Sequence, residues 1–121
     1  MEDLTITATE LGPEIVLEKT GKVSISGRSM AEDSSAYYKE VHEWVQQYIE
    51  KLGSESITVE IELSYFNSSS AKQLLKLLMS IKNANLSVTV NWFYPENSQI
   101  LLDRGKELSE ISELNFVYFA K

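Results

Sequence analysis

Residues 57 to 75 read ITVEIELSYFNSSSAKQLL, and two periods meet within them. Ile57, Val59, Ile61, Leu63 and Tyr65 alternate with Thr58, Glu60, Glu62 and Ser64, the period of two that sends one side of a strand into a core and the other into water. From Ala71 the spacing changes to threes and fours through Leu74, Leu75, Leu78 and Ile81, which predicts an amphipathic helix ending near residues 83 to 85. Between the two, Asn67 or Ser68 is placed to cap the helix by accepting a hydrogen bond from one of its first free N–H groups. A cap uses one such residue, and a run of three serines supplies more.

The same grammar extends in both directions. Downstream, Leu86, Val88, Val90 and Trp92 alternate with Ser87, Thr89 and Asn91; a third helix is predicted over about Asn97 to Ser112, and Asn115 to Ala120 reads as a closing strand. Upstream, Tyr37, Tyr38, Val41, Trp44, Val45, Tyr48, Ile49 and Leu52 mark one face of a first helix, stopped at Gly53. Before it, Leu4 to Ala8, Glu14 to Glu18 and Lys22 to Ser26 read as two or three short antiparallel strands turned at Gly12-Pro13 and Thr20-Gly21.

The strand faces choose the architecture. Parallel strands covered on both sides are almost continuously apolar, whereas these alternate, with Glu60 and Glu62 on one face. The expected fold is therefore a two-layer α/β domain: an N-terminal antiparallel hairpin, then strand-helix units, in a mixed sheet with the helices mainly on one face. Right-handed crossovers place the ends of successive parallel strands along one edge, where sites of open α/β sheets lie.

With 121 residues and no linker-like stretch, residues 1–121 are expected to form one domain, large enough to bury about two thirds of its unfolded surface. The chain carries 18 Asp and Glu against 11 Lys and Arg, a formal charge of -7, and no basic block. Neither a nucleic-acid backbone nor an anionic membrane is an expected partner, because both are bound through clustered cations. The acidic start MEDLTITATE is unlike a secretory signal, and a chain without cysteine fits a reducing compartment; a cytoplasmic location is expected.

Conventional catalytic chemistry finds little support. His42 follows Val41 on the first helix with no nucleophile or orienting acid in an evident pattern. The five glycines are scattered, and no zinc or phosphate-loop spacing occurs. Glu60 and Glu62 read as a wet sheet face, Asn97 as a helix cap, Asp103 and Glu107 as a wet helix face, and Gly105 as a point of close packing of its helix on the sheet or as a helix bend. No enzyme, metal or cofactor is expected. A hydroxyl at an exposed helix start does suit a kinase, since a phosphate there meets free N–H groups and the positive helix end, with Lys72 as a counter-charge.

Three segments, GRSMAEDSSAYYKEVHEWV (27–45), ITVEIELSYFNSSSAKQLL and VTVNWFYPEN (88–97), resemble the SiaC family of small bacterial regulatory phosphoproteins, whose fold is like the STAS domain of anti-sigma factor antagonists. The resemblance is clearest from Gly27 to Phe119 and joins YFNSSS to the later VNWFY. It implies partner switching: a Ser/Thr protein kinase phosphorylates the hydroxyl after the motif's Asn, a PP2C-type phosphatase removes the phosphate, and the unphosphorylated form binds an effector. In the best-known system the effector is a diguanylate cyclase, so the output is cyclic di-GMP and biofilm control. Carried onto this chain, the modified residue is Ser68, with Ser69 and Ser70 as alternatives; serine stands where threonine is frequent, and Ala31-Glu32-Asp33 where many members read Pro-Glu-Asn.

The physical reading adds a surface to this switch. Parallel pairing of the strands 57–66 and 86–94 brings their aromatic ends beside the serines. Tyr65 and Trp92 are in phase with the apolar faces and are expected inside, whereas Phe66 and Phe93 are out of phase and are expected outside, as docking anchors. Phe66, Asn67, Ser68, Lys72 and Phe93 are thus the expected partner-binding residues. The competing reading is a constitutive STAS-like adaptor, or an anti-sigma antagonist-type module without a cyclase partner, in which the serines only cap a helix.

Overall fold

In the computed structural model, residues 1–51 and 56–121 are described; the helix stop expected at Leu52 and Gly53 lies outside them. The elements run β1 (Leu4–Ile6), β2 (Glu14–Glu18), β3 (Lys22–Ser29), α1 (Ser35–Glu50), β4 (Ser56–Phe66), α2 (Ser68–Asn83), β5 (Ser87–Tyr94), α3 (Gln99–Ser112) and β6 (Phe116–Ala120). The strands form a six-stranded sheet in the order β1-β2-β3-β4-β5-β6. β1, β2 and β3 pair antiparallel, and β3 to β6 pair parallel.

A strictly sequential order has a consequence for the helices. Each parallel step crosses over in the same direction, and right-handed crossovers then deliver α1, α2 and α3 to one face of the sheet. The core bears this out: Val41 and Val45 of α1, Leu74 and Leu78 of α2 and Leu108 of α3 join Ile25, Ile61, Val90 and Trp92 of the sheet in one buried cluster. On the open face the period-two partners along β3 and β4 are polar, and Lys22 pairs with Glu60 and Lys121 with Glu62 at 3.3 and 3.0 Å. These are exposed ion pairs worth little each, so Glu60 and Glu62 belong to a wetted sheet face, as the alternation predicts.

α3 needs a close approach to reach the sheet. Its cap is Ser98, whose hydroxyl accepts the Leu101 N–H, one residue later than the expected Asn97. Gly105 is buried, and a methyl group there would lie 2.6 Å from the Trp92 indole. The missing side chain lets Trp92 donate its indole N–H to the Leu101 carbonyl at 3.0 Å, the same carbonyl that the helix assigns to the Gly105 N–H. Close packing thus accounts for a glycine that would otherwise weaken the helix.

The alternation of β4 breaks once. Ile57, Val59, Ile61 and Leu63 are buried, Ser64 and Tyr65 are both exposed, and Phe66 is buried again. The partner strand shows why: Gly27 pairs with Leu63 and Arg28 with Tyr65, leaving Ser64 as an extra residue. Gly27 sits at φ 114°, a conformation that L side chains avoid. This β-bulge shifts the phase of every residue after it by one.

Candidate functional site

The end of β4 feeds directly into α2, and one residue makes the junction. Asn67 has an extended backbone and caps α2, its side-chain oxygen accepting the Ser70 N–H at 2.9 Å. Its amide donates to the Ala31 carbonyl at 3.0 Å, and its backbone N–H donates to Ser29 at 3.1 Å. A single Asn therefore ties together the end of β3, the loop before α1 and the first turn of α2.

Successive helix positions are about 100° apart, so the three serines point in three directions. Ser70 points down and is 0% exposed. Its hydroxyl donates to the Ser29 carbonyl at 2.9 Å, accepts from the Ser29 hydroxyl at 2.6 Å and meets the Ser34 hydroxyl at 3.0 Å. The Tyr38 hydroxyl completes the cluster at 2.8 Å from Ser29. Burial pushes the Tyr38 phenol up to about 12, which keeps it protonated and available as a donor. No buried side-chain polar atom among the described residues lacks a partner.

Ser69 points sideways toward α1, where its oxygen accepts the Ser34 N–H at 2.9 Å. One turn on, Gln73 faces the same helix and meets His42 Nε2 at 2.7 Å. His42 is half-buried, and burial first, with Lys76 nearby as a lesser cause, holds its pKa below the usual histidine value despite the Gln73 hydrogen bond. Its amide partner and half-buried place make it a packed helix residue. Ser68 is the exposed member of the trio, and its hydroxyl has no hydrogen bond among the described residues. The surplus of hydroxyls is thus resolved: two are structural, and Ser68 is the accessible one. Lys72 is exposed one turn beyond it.

Two aromatic assignments are corrected. Phe66, expected outside, is 1% exposed, and Tyr65, expected inside, is 46% exposed. The Ser64 bulge inverts both, since a one-residue shift exchanges the faces of a strand. Phe66 lies edge-on to Trp92 with ring centroids 5.9 Å apart; as expected, β4 and β5 are parallel neighbours with Trp92 in the core. Phe93 is half-buried on the open sheet face, stacked on Phe119 at 5.0 Å, with Lys121 over its ring. There it lines an open cleft of 440 Å³ with Tyr94, Pro95, Glu62 and Lys121. The expected single rim of Phe66, Asn67, Ser68 and Phe93 therefore does not form: Phe66 is core, and Phe93 lies across the sheet from α2.

Several residues at this site escaped the sequence reading. Ser29 and Ser34 lie in the quoted 27–45 segment, but their role depends on meeting α2 in space. Arg104 of α3 donates from Nη1 to the Phe66 carbonyl at 2.9 Å and stacks its guanidinium 3.9 Å above the Phe66 ring. The isolated Gly27 at the end of an alternating strand was the one available sign of a bulge. Among the described residues no group of His, Asp or Glu is arranged to hold a metal ion, and no helix is long and apolar enough to cross a membrane.

The order of elements and the geometry at the start of α2 can be set beside known proteins. A family model described as SiaC family regulatory phosphoprotein matches residues 6–121. The chain belongs to the SiaC family. Among solved structures, SiaC of Pseudomonas aeruginosa superposes with a TM-score of 0.86 at 25% identity, covering 100% of this chain and 98% of that one. A chain in the crystal structure of the diguanylate cyclase SiaD in complex with its activator SiaC, also from P. aeruginosa, gives 0.90 at 25% identity, with 98% and 100% covered. An uncharacterized protein of P. aeruginosa strain UCBPP-PA14 is 26% identical over 114 residues, 91% of this chain and 90% of its own length. The expected SiaC-like fold, a mixed sheet with N-terminal antiparallel strands and three helices, is thus found.

Proposed function

We propose that this SiaC family member is a cytoplasmic, single-domain partner-switch protein. A Ser/Thr kinase phosphorylates Ser68, a PP2C-type phosphatase removes the phosphate, and the unphosphorylated form binds and regulates a diguanylate cyclase, controlling cyclic di-GMP and biofilm formation. The observation that carries this reading is the division of labour among the serines: Ser69 and Ser70 are committed to the α1 and β3 contacts, while Ser68 presents an unengaged hydroxyl at the start of α2. Support for the effector comes from the structural likeness to SiaC in a complex where it is the activator of a cyclase.

The chain acts by being recognised, not by catalysis. Its docking patch is centred on Asn67, Ser68 and Lys72, with exposed Tyr65 as the aromatic anchor in the role first expected of Phe66. A phosphate adds about -1.5 to -2 charges at this patch on a chain already at -7, and an acidic or apolar partner surface cannot desolvate it cheaply. Binding is then lost locally, without refolding.

Affinity for the cyclase of the same organism tests this, measured with the wild type, Ser68→Ala and Ser68→Glu. The alanine variant should bind like the wild type, and the glutamate variant at least about tenfold more weakly, roughly 1.4 kcal/mol. Equal affinities for all three would overturn the switch and leave a constitutive adaptor. Intact mass after incubation with the cognate kinase should show one added phosphate on the wild type and none on Ser68→Ala.

A further inference from the structure

We infer that Arg104 of α3 is the receptor for a phosphoryl group on Ser68, the residue that converts the modification into a fixed local structure. The inference rests on Ser68 as the modified residue. It concerns a group on a different helix, which the motif around the serines does not contain.

Three observations place Arg104 for this role. Helical geometry comes first. Ser69 and Gln73 face α1, whereas Lys82 reaches Glu113 at the end of α3 at 3.0 Å. Ser68 and Lys82 are just under four turns apart at about 3.6 residues per turn, so Ser68 lies on the α3-facing side of α2. Arg104 stands at that side, bonded to the carbonyl of Phe66, two residues before Ser68.

The second observation is preorganisation. Arg104 is half-buried, with its guanidinium plane held on the Phe66 ring and one nitrogen fixed by the Phe66 carbonyl. An arginine so constrained gives up little further freedom when it binds an anion, and its fork of donors matches phosphate geometry. A single neutral carbonyl uses only part of that fork.

The third is charge. The ion pairs among the described residues join Lys22 to Glu60, Lys82 to Glu113 and Lys121 to Glu62, and Arg104 belongs to none of them. In a chain with an excess of seven acids, this half-buried arginine is bonded to a neutral carbonyl and to no carboxylate among the described residues. Its neighbour Asp103 accepts from Gln99 instead. Around the start of α2 the other charged groups include Lys72 on α2, Arg28 at the end of β3 opposite Tyr65, and Glu32 and Asp33 in the loop before α1, all exposed. Lys72 is a mobile point charge; Arg104 is the fixed one.

The test uses the full chain with phosphoserine installed at position 68 by genetic encoding, followed by ³¹P NMR titration. Arginine beside the phosphate favours the dianion, so Arg104→Gln should raise the second phosphate pKa by about one unit relative to the unsubstituted protein. Arg104→Lys should restore part of the shift, and Lys72→Gln should move it less. Identical titrations for the phosphorylated protein and its Arg104→Gln variant, both shown folded by thermal melts, would overturn the inference. Because the phosphate is placed by design, that failure is separate from a finding that native cells modify Ser69, which phosphosite mapping would reveal. If Arg104→Gln does not fold, the Arg104→Lys titration carries the test: an unchanged pKa would overturn the role of the guanidinium fork.

Discussion

The oxygen of Ser69 accepts the Ser34 N–H at 2.9 Å, so the first turn of α2 supports the start of α1. With Asn67 on Ala31 and Ser70 on Ser29 and Ser34, the loop between β3 and α1 is clamped to the serine run along its length. The three serines thus combine two tasks that a linear reading merges: two hold a loop, and one faces outward.

Replacing Ser70 by alanine should be expensive and replacing Ser68 nearly neutral. Ser70→Ala removes three hydrogen bonds from a buried cluster; the Ser29 carbonyl keeps the Asn67 N–H, and the Ser29 and Ser34 hydroxyls keep Tyr38 and Ala31, so the loss is about 1–3 kcal/mol at about 0.5–1.5 kcal/mol per bond. Ser68→Ala removes an exposed hydroxyl and should fall within about 0.5 kcal/mol. Urea unfolding of the two variants decides; equal stabilities would mean that the buried cluster contributes nothing.

Phe66 and Tyr65 should separate stability from binding. Phe66→Ala empties a site between Trp92 and Arg104 and should cost about 3–5 kcal/mol. Tyr65→Ala should leave stability within about 0.5 kcal/mol and weaken effector affinity severalfold. The reverse pattern would restore the assignment that strand phase alone suggests.

Gly105→Ala should destabilise in spite of alanine's better helix propensity. The helix term favours alanine by about 1 kcal/mol, but the methyl group meets the Trp92 ring at 2.6 Å and must displace an indole anchored to Leu101. Overpacking of this kind costs about 1–3 kcal/mol. A shifted tryptophan emission together with a lower unfolding midpoint is the expected result; a more stable variant would show that α3 can move away freely.

His42 should make stability depend on pH in a fixed direction. Its folded pKa lies below the ordinary 6.5 because burial disfavours the imidazolium, with the Gln73 hydrogen bond opposing and Lys76 assisting. The unfolded chain then binds more protons in the window from 6.5 down to the folded value, so this contribution is complete above 6.5 and is lost as pH falls through that window. The midpoint of the wild type should drop on acidification over that range, and His42→Gln should flatten part of the slope. Parallel slopes for the two proteins would exclude the histidine as a source.

The sequence by itself determined the elements, their order and the one-sided layering. Periods of two and of 3.6 are properties of local backbone geometry, and they are written in residues such as Val59, Glu60, Ile61 and Glu62 without reference to any neighbour. Gly105 as an odd residue was legible for the same reason, since a glycine inside a helical pattern costs stability; that close packing on Trp92 explains it, and not a bend, came from the structure. The family was legible from the motif joining YFNSSS to VNWFY. Tertiary structure alone decided which aromatics are buried, which serines are engaged and where Arg104 stands. The phase of β4 past Leu63 depends on a bulge created against Gly27 of another strand, so Tyr65 and Phe66 exchange faces although nothing in their own spacing changes. Ser69 and Ser70 are structural because Ser29 and Ser34, some 35 to 41 positions away in the chain, arrive beside them only when α1 and α2 pack on the same face. Local periodicity carries no information about such meetings, and the accessible hydroxyl of Ser68 is identified by what its two neighbours are already holding.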